Sequence, residues 1–217
     1  MSHTILFDVE TSGLPEAEIE AMLPVFDPNE VKLGNIKDPA KAEAKIAEAR
    51  DKHRRQFFDR AALDPMTGRV LAIGYTTPAG AQEIEIGDEN MLLTHFWGAA
   101  RQHSGQINRL VGFNICLFDL PFLIRRSWHH GIPIPVGVRN GRYWDKNIVD
   151  LRDTWQLGNR QAHGSLDAIC KFLGLGEKLG DGKDFARLLV EDREQAVAYL
   201  KHDLELTRLL AQRLGEA

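Results

Sequence analysis

The sequence predicts an α/β fold in which a mixed central β-sheet is flanked by helices. Three observations lead to this prediction. A first segment alternates between apolar and polar side chains as a strand does, and two further strand patterns follow as a hairpin. Strand and helix patterns then alternate to the end of the chain, an order typical of parallel strands covered by helices.

The first strand is predicted from His3 to Glu10. Because side chains alternate across a strand, its two faces carry different residues: Ile5, Phe7 and Val9 on one, and Leu6, Asp8 and Glu10 on the other. Thr11-Ser12-Gly13 has turn chemistry and is predicted to end the strand.

Residues 15–65 differ in character, since they are charged, rich in Ala, Glu and Lys, and interrupted by prolines. Good helix formers predict one long helix from Pro39 to Ala62. Its apolar stripe is thin, with Ile46, Phe57 and Phe58 as the large members. We therefore expect a largely helical insertion after the first strand, within a single domain that spans residues 1–217.

After the insertion, Pro78-Ala79-Gly80 joins two strand patterns, and Asp88 is a predicted N-cap for the helix that follows. That helix has an apolar stripe of Met91, Leu92, Phe96 and Ala99. In chain order the predicted elements are strands at Arg69 to Thr77 and Ala81 to Ile86, a helix to about His103, a strand at Ile107 to Phe113, a helix from Pro121 to about His130, a turn at Asn140-Gly141, a strand at Asn147 to Leu151, and helices from Ser165 to Gly174 and from Asp192 to Leu214.

Bulk properties exclude several classes of protein. The net charge of −4 and the pI of about 6.1 argue against a broad electrostatic grip on duplex DNA. The two cysteines form no Cys-x-x-Cys pair, which argues against a zinc ribbon or a disulfide framework. No signal-peptide pattern or membrane-length apolar stretch is found. We expect a soluble, cytoplasmic protein with no membrane partner.

Asp8 and Glu10 lie two residues apart on the first strand, so both side chains project from one face. They are near the carboxyl end of the strand, where open sheets place ligands. Adjacent carboxylates repel unless a cation lies between them, and hard divalent ions prefer such oxygen ligands. An equally good interpretation from the pattern alone is that both acids face water.

Asp203 is a charge on an apolar seam of the last helix. The seam is formed by Ala196, Tyr199, Asp203, Leu206 and Leu210, at alternating steps of three and four. A buried carboxylate requires a partner, which is either a metal ion or a nearby Lys, Arg or backbone donor. Asp119 directly precedes a helix, a context that equally predicts an N-cap. The four acids together match the ligand set of a two-metal clamp.

Three motifs carry a resemblance to a known family. They are FDVETSGL at 7–14, GFNICLFDLPFL at 112–123 and YLKHD at 199–203. They resemble the three exonuclease motifs of the DEDD superfamily of 3′→5′ exonucleases, and the second is similar to the proofreading domain of family B DNA polymerases. Tyr199 and Asp203 have the Y-x-x-x-D spacing of the tyrosine branch, and Ala198 stands where the histidine branch would need His.

The resemblance implies a ribonuclease-H-like fold and two divalent ions, Mg²⁺ or Mn²⁺, held by Asp8, Glu10, Asp119 and Asp203. One ion would lie near the attacking water and the second near the leaving 3′ oxygen. Tyr199 would orient the water. The nucleic-acid strand would be contacted by Thr11, Leu14, Asn114 and Phe118. For Leu14 and Phe118, packing in the protein core is an equally good interpretation.

The implied activity is removal of nucleoside 5′-monophosphates from the 3′ ends of single-stranded DNA, as in proofreading or repair. The implied partners are single-stranded 3′ ends, with DNA favoured over RNA, and a DNA polymerase acting in trans. The alternatives are an RNA-directed 3′→5′ exoribonuclease and a non-catalytic nucleic-acid-binding module of a replication complex.

Overall fold

The computed structural model describes residues 3–77, 79–140, 143–159 and 161–216, with only the backbone of residues 139 and 140. The chain divides into two compact units. The larger contains Met1–Thr11 and Val70–Ala217, and the smaller contains Ser12–Arg69.

The larger unit is organised on a five-stranded sheet. Its strands are β1 (Thr4–Gly13), β2 (Gly68–Thr76), β3 (Gln82–Ile86), β4 (Arg109–Gly112) and β7 (Ile148–Asp150). They lie in the order β3-β2-β1-β4-β7. β4 is parallel to both β1 and β7, whereas β2 and β3 are antiparallel. The predicted mixed sheet is confirmed, and the carboxyl ends of β1, β4 and β7 meet at one edge.

Helices cover both faces of this sheet. Those of the larger unit are α3 (Glu89–Ala100), α4 (Asp119–His129), α5 (Leu151–Gln156), α6 (Leu166–Leu173), α7 (Phe185–Glu191) and α8 (Arg193–Leu214). Ile5, Phe7 and Val9 of β1 belong to a core that includes side chains of α3 and α4. Leu6 belongs to a second core with α6 and α8. The predicted alternation of β1 is therefore confirmed.

Several predicted boundaries need correction. Thr11-Ser12-Gly13 continues β1 instead of turning, and the helix capped by Asp88 ends at Ala100. Met91 is exposed and does not belong to the buried stripe of that helix. Of the predicted turns, Pro78 and Gly141 lie outside the described residues. The short elements that were not predicted include α5, α7, and the hairpin of β5 (Arg139–Asn140) with β6 (Tyr143–Trp144).

The smaller unit is largely helical, with α1 (Glu16–Ala21) and α2 (Pro39–Arg60). α2 has no buried residue, in agreement with its thin apolar stripe. Near the two ends of the unit, the Leu14 backbone N–H donates to the carbonyl of Thr67 at 2.8 Å. Among the described residues of the chain, no helix is both long and apolar enough to cross a membrane.

Candidate functional site

Three acidic side chains gather at the carboxyl end of β1. Asp8 and Glu10 project from the face of β1 that carries Leu6, and Asp203 of α8 lies against them. One carboxylate oxygen from each of the three lies within 4.8 Å of the others. Glu10 and Asp203 are buried, and Asp8 is partly exposed. The structure thus brings together three of the four acids that the sequence singled out.

Asp203 and Tyr199 lie on the buried seam of α8, as predicted, and are only 1% and 4% exposed. Neither Asp203 oxygen nor the Tyr199 hydroxyl has a hydrogen bond of good geometry within the described part of the chain, although Tyr199 is close enough to Asp203 to lower the pKa of that carboxyl. Buried polar atoms without partners are uncommon in proteins and often mark a site that a ligand, an ion or water completes.

Lys178 supplies the cation nearest to these acids, and it was not predicted from the sequence. Its Nζ lies 2.6 Å from Oδ2 of Asp203 and 5.5 Å from the centre of the Tyr199 ring. The segment between α6 and α7 carries it. The backbone N–H of Lys178 donates to the Asp167 carboxylate at 2.8 Å, which fixes the lysine beside the first turn of α6.

Asp119 is buried at 4% exposure but lies outside the three-acid cluster. It is the first residue of α4, and the N-cap position belongs to Phe118, so the N-cap interpretation of Asp119 is wrong. Burial and the negative charge of Asp8 raise the pKa of Asp119 well above its ordinary value. The two carboxylates are therefore close enough to interact, and a ligand role for Asp119 stays a prediction.

The acids raise one another's pKa values. Burial and the charge of Asp203 raise the pKa of Asp8 to about 7, and Lys178 opposes this increase. Burial and the charge of Asp8 raise the pKa of Glu10 well above its usual value. Burial also raises the pKa of Asp203, again opposed by Lys178. Desolvated, mutually repelling oxygen ligands of this kind suit a hard divalent cation, so the residues present fit a metal site.

The four residues predicted to contact a nucleic-acid strand lie in different parts of the structure. Asn114 and Phe118 belong to the loop between β4 and α4. The partly buried Phe118 ring packs against the Phe122 ring, with 5.7 Å between the ring centroids. Thr11 lies near the end of β1 in the larger unit, and Leu14 belongs to the smaller unit. Their contacts with a nucleic-acid strand stay predictions.

The family of the chain is identified by a match over residues 69–214. This stretch matches the model of a family described as "Predicted 3'-5' exonuclease related to the exonuclease domain of PolB". The chain belongs to this family. The matched stretch includes Asp119, Lys178, Tyr199 and Asp203, whereas Asp8 and Glu10 precede it.

Similar proteins agree with this assignment. A DNA polymerase of Archaeoglobus fulgidus is 26% identical over 163 residues, which are 70% of this chain and 21% of that protein. The solved family B DNA polymerase of the hyperthermophilic archaeon Pyrobaculum calidifontis matches with a TM-score of 0.63 at 16% identity, over 99% of this chain and 24% of that one. The chain thus spans about a fifth to a quarter of either polymerase. The structural likeness confirms the predicted ribonuclease-H-like fold.

The raised pKa of Asp8 leads to a prediction about stability and pH. A carboxyl whose pKa is 3.8 in the unfolded chain and about 7 when folded gives the folded protein more bound protons between these values. This group therefore stabilises the metal-free protein at low pH, and its contribution is lost as the pH rises from about 4 to 7. Relative to the wild type, Asp8→Asn is expected to gain stability over this range, by at most about 4 kcal/mol, since a pKa difference of one corresponds to about 1.4 kcal/mol.

Urea unfolding of both proteins in EDTA, from pH 4 to pH 8, measures this difference. Saturating Mn²⁺ is expected to stabilise the wild type at pH 8 more than Asp8→Asn, because the variant lacks one charged ligand. A difference in unfolding free energy that does not change with pH would contradict the prediction.

Proposed function

We propose that the protein is a metal-dependent 3′→5′ exonuclease of the tyrosine branch. It hydrolyses phosphodiester bonds at the 3′ ends of single-stranded DNA and releases nucleoside 5′-monophosphates. Two divalent ions, Mg²⁺ or Mn²⁺, bind at Asp8, Glu10 and Asp203, with Asp119 as the fourth acid.

One observation carries this proposal. In a chain of this exonuclease family, three carboxylates converge beside a tyrosine hydroxyl, and the Lys178 ammonium offsets only part of their charge, so the pKa values of Asp8 and Glu10 stay raised. Ions bound there would polarise the attacking water and stabilise charge on the leaving 3′ oxygen, as in other two-metal sites. A purely structural cluster would be expected to pair each of its carboxylates with a cation or donor of the chain.

Tyr199 and Lys178 have separate roles in the proposal. Burial raises the pKa of the Tyr199 phenol above its ordinary value, so the group stays protonated and cannot act as a base at neutral pH. Its hydroxyl, beside Asp203, is suited to hold a water molecule in line with the scissile phosphorus. Lys178 pairs with the Asp203 carboxylate in the metal-free protein, and its positive charge would face the bound phosphate.

Digestion of labelled oligonucleotides tests the proposal. Single-stranded DNA, duplex DNA and RNA of equal sequence, each labelled at the 5′ end, are incubated with the protein in Mn²⁺, in Mg²⁺ or in EDTA. We expect a ladder that shortens from the 3′ end on single-stranded DNA, and no cleavage in EDTA. Faster cleavage of RNA would indicate the exoribonuclease instead. Binding of the strand without cleavage under every metal condition would indicate a non-catalytic module.

Replacing Lys178 by methionine is expected to lower kcat about 10- to 100-fold, because the variant loses the positive charge that would face the phosphate. The apparent affinity for Mn²⁺ is not expected to weaken, since one positive charge has been removed from beside the acids. Initial rates across a Mn²⁺ titration measure both quantities. Lys183→Met is the matched control, because Lys183 is largely exposed and pairs with Asp181 in the same segment. Equal rates for the two variants would contradict the role of Lys178.

A further inference from the structure

Arg152 is a partly buried arginine for which no ion pair with an acid is seen among the described residues. It lies in the first turn of α5, directly after the carboxyl end of β7. Its Nε atom is buried and has no hydrogen-bond partner within the described part of the chain. Burying a guanidinium N–H without an acceptor costs free energy. The Nε of Arg152 is therefore suited to donate a hydrogen bond to a bound ligand.

The neighbour of Arg152 is Asn114, and their contact orients both side chains. Nη1 of Arg152 donates to Oδ1 of Asn114 at 2.8 Å. With its oxygen occupied, the Asn114 amide presents its Nδ2 donors, for which no hydrogen bond is seen in the described residues. Asn114 also has a φ of 63°, in the left-handed region, which Asn adopts more readily than most residues other than Gly.

Asp150 holds the backbone around Asn114 in place. Its two carboxylate oxygens accept the backbone N–H groups of Asn114 at 2.8 Å and Cys116 at 2.9 Å. The same carboxylate accepts the backbone N–H of Arg152 at 2.9 Å, so one side chain fixes both residues of the pair. Cys116, Asp150 and Asp153 also approach one another, but the oxygens of Asp150 are already occupied and this group is not proposed as a metal site.

The pair lies on the same edge of the sheet as the acids. β4 and β7 are parallel neighbours, so Asn114 and Arg152 both follow carboxyl ends, as Asp8 and Glu10 do on β1. The loop from Asn114 leads directly into Asp119, whose pKa is raised in part by the charge of Asp150. A nucleic-acid strand whose scissile phosphate lies at the acids would therefore have further phosphates within reach of this edge of the sheet.

We propose that Arg152, together with the Asn114 amide, binds a non-scissile backbone phosphate of the strand. A guanidinium presents its donors as a planar fork that matches phosphate oxygens, and a phosphate would satisfy the buried Nε. This inference rests on the proposed function, because it assumes that the strand enters at this edge. It assigns Arg152 to strand binding and gives it no part in the chemical step.

Binding of a fluorescent single-stranded oligonucleotide in EDTA tests the inference without any cleavage. Fluorescence anisotropy is measured for the wild type, Arg152→Gln and Arg152→Lys between about 50 and 200 mM salt. We expect Arg152→Gln to bind about three- to tenfold more weakly at low salt, with the slope of log K against log salt reduced by about 0.7, the value for one phosphate of a single strand. Arg152→Lys is expected to keep the slope and lose part of the affinity, since it keeps the charge without the fork.

Arg208→Gln is the matched control, because it removes the same charge from a partly exposed arginine that is already paired with Glu205. We expect this control to bind as the wild type does. In the cleavage assay, Arg152→Gln is expected to raise KM with little change in kcat.

The outcomes separate the two proposals. Wild-type affinity and slope in Arg152→Gln, with normal binding by the wild type itself, would overturn the phosphate site alone. A fall in kcat at unchanged KM would also overturn it, since that result indicates a structural role at the acids. A wild-type protein that neither binds nor cleaves any strand would overturn the proposed function and this inference with it. If Arg152→Gln fails to fold, the comparison of Arg152→Lys with the wild type decides.

Discussion

Replacing Asp8 by alanine is expected to abolish cleavage, with a loss of at least about 10³-fold in rate. Asp8 lies between the other acids: its charge raises the pKa of both Glu10 and Asp119, and it belongs to the cluster with Asp203. In the proposed site it would be a metal ligand, so its removal would weaken metal binding. Initial rates on 5′-labelled single-stranded DNA in saturating Mn²⁺ measure the effect.

The same variant is expected to fold. Asp8 repels its neighbours in the metal-free protein, so its removal relieves a destabilising interaction, and the melting temperature in EDTA should stay the same or rise. Glu194→Ala, which removes an exposed acid from the first turn of α8, is the control and is expected to keep full activity. A fully active Asp8→Ala protein would rule out the proposed site.

Replacing Gly112 by alanine is expected to lower the free energy of unfolding by about 3 kcal/mol or more. Gly112 ends β4, and a Cβ atom there would lie 2.4 Å from Cγ2 of Ile115 and 2.9 Å from the carbonyl oxygen of Phe7. The second contact is with backbone of the neighbouring strand β1, which cannot yield without separating the two strands. Urea unfolding followed by circular dichroism measures the loss.

Gly98→Ala is the control for this substitution. Gly98 lies within α3, and a Cβ atom there would have no neighbour within 4 Å. Alanine has the higher helix propensity, so this variant is expected to gain about 0.5–1 kcal/mol. If Gly112→Ala were as stable as the wild type, the close approach of β4 to β1 would have to be looser than described.

The parts of the structure that the sequence predicted are those with a periodic signal. The alternation along β1 places Ile5 and Phe7 in one core and Asp8 on the opposite face, and the structure confirms this arrangement. The steps of three and four along α8 likewise predicted that Tyr199 and Asp203 would be buried. Both signals are local, so they can be recognised without knowing how the chain folds back on itself.

The parts that were missed depend on contacts between distant segments. Lys178 lies in an irregular segment, where nothing in the adjacent residues indicates that its ammonium would meet Asp203. Asp150 lies on a three-residue strand and Arg152 on a six-residue helix, and both elements are too short to show a periodic pattern. Their partner Asn114 lies in the loop that follows β4, far away in the sequence. Asp119 was ambiguous for the opposite reason, since a strong local signal for a helix cap concealed its proximity to Asp8.

The ion pair between Lys178 and Asp203 has a consequence for how metal would enter the site. The Lys178 ammonium already occupies a position beside the acids. The first divalent ion to bind Asp203 would therefore have to displace this ammonium group. Occupancy should then depend on how readily the lysine withdraws as well as on the intrinsic affinity of the oxygens. We expect a calorimetric titration of the wild type to show two unequal phases, and we expect the weaker phase, in which Lys178 is displaced, to become tighter in Lys178→Met.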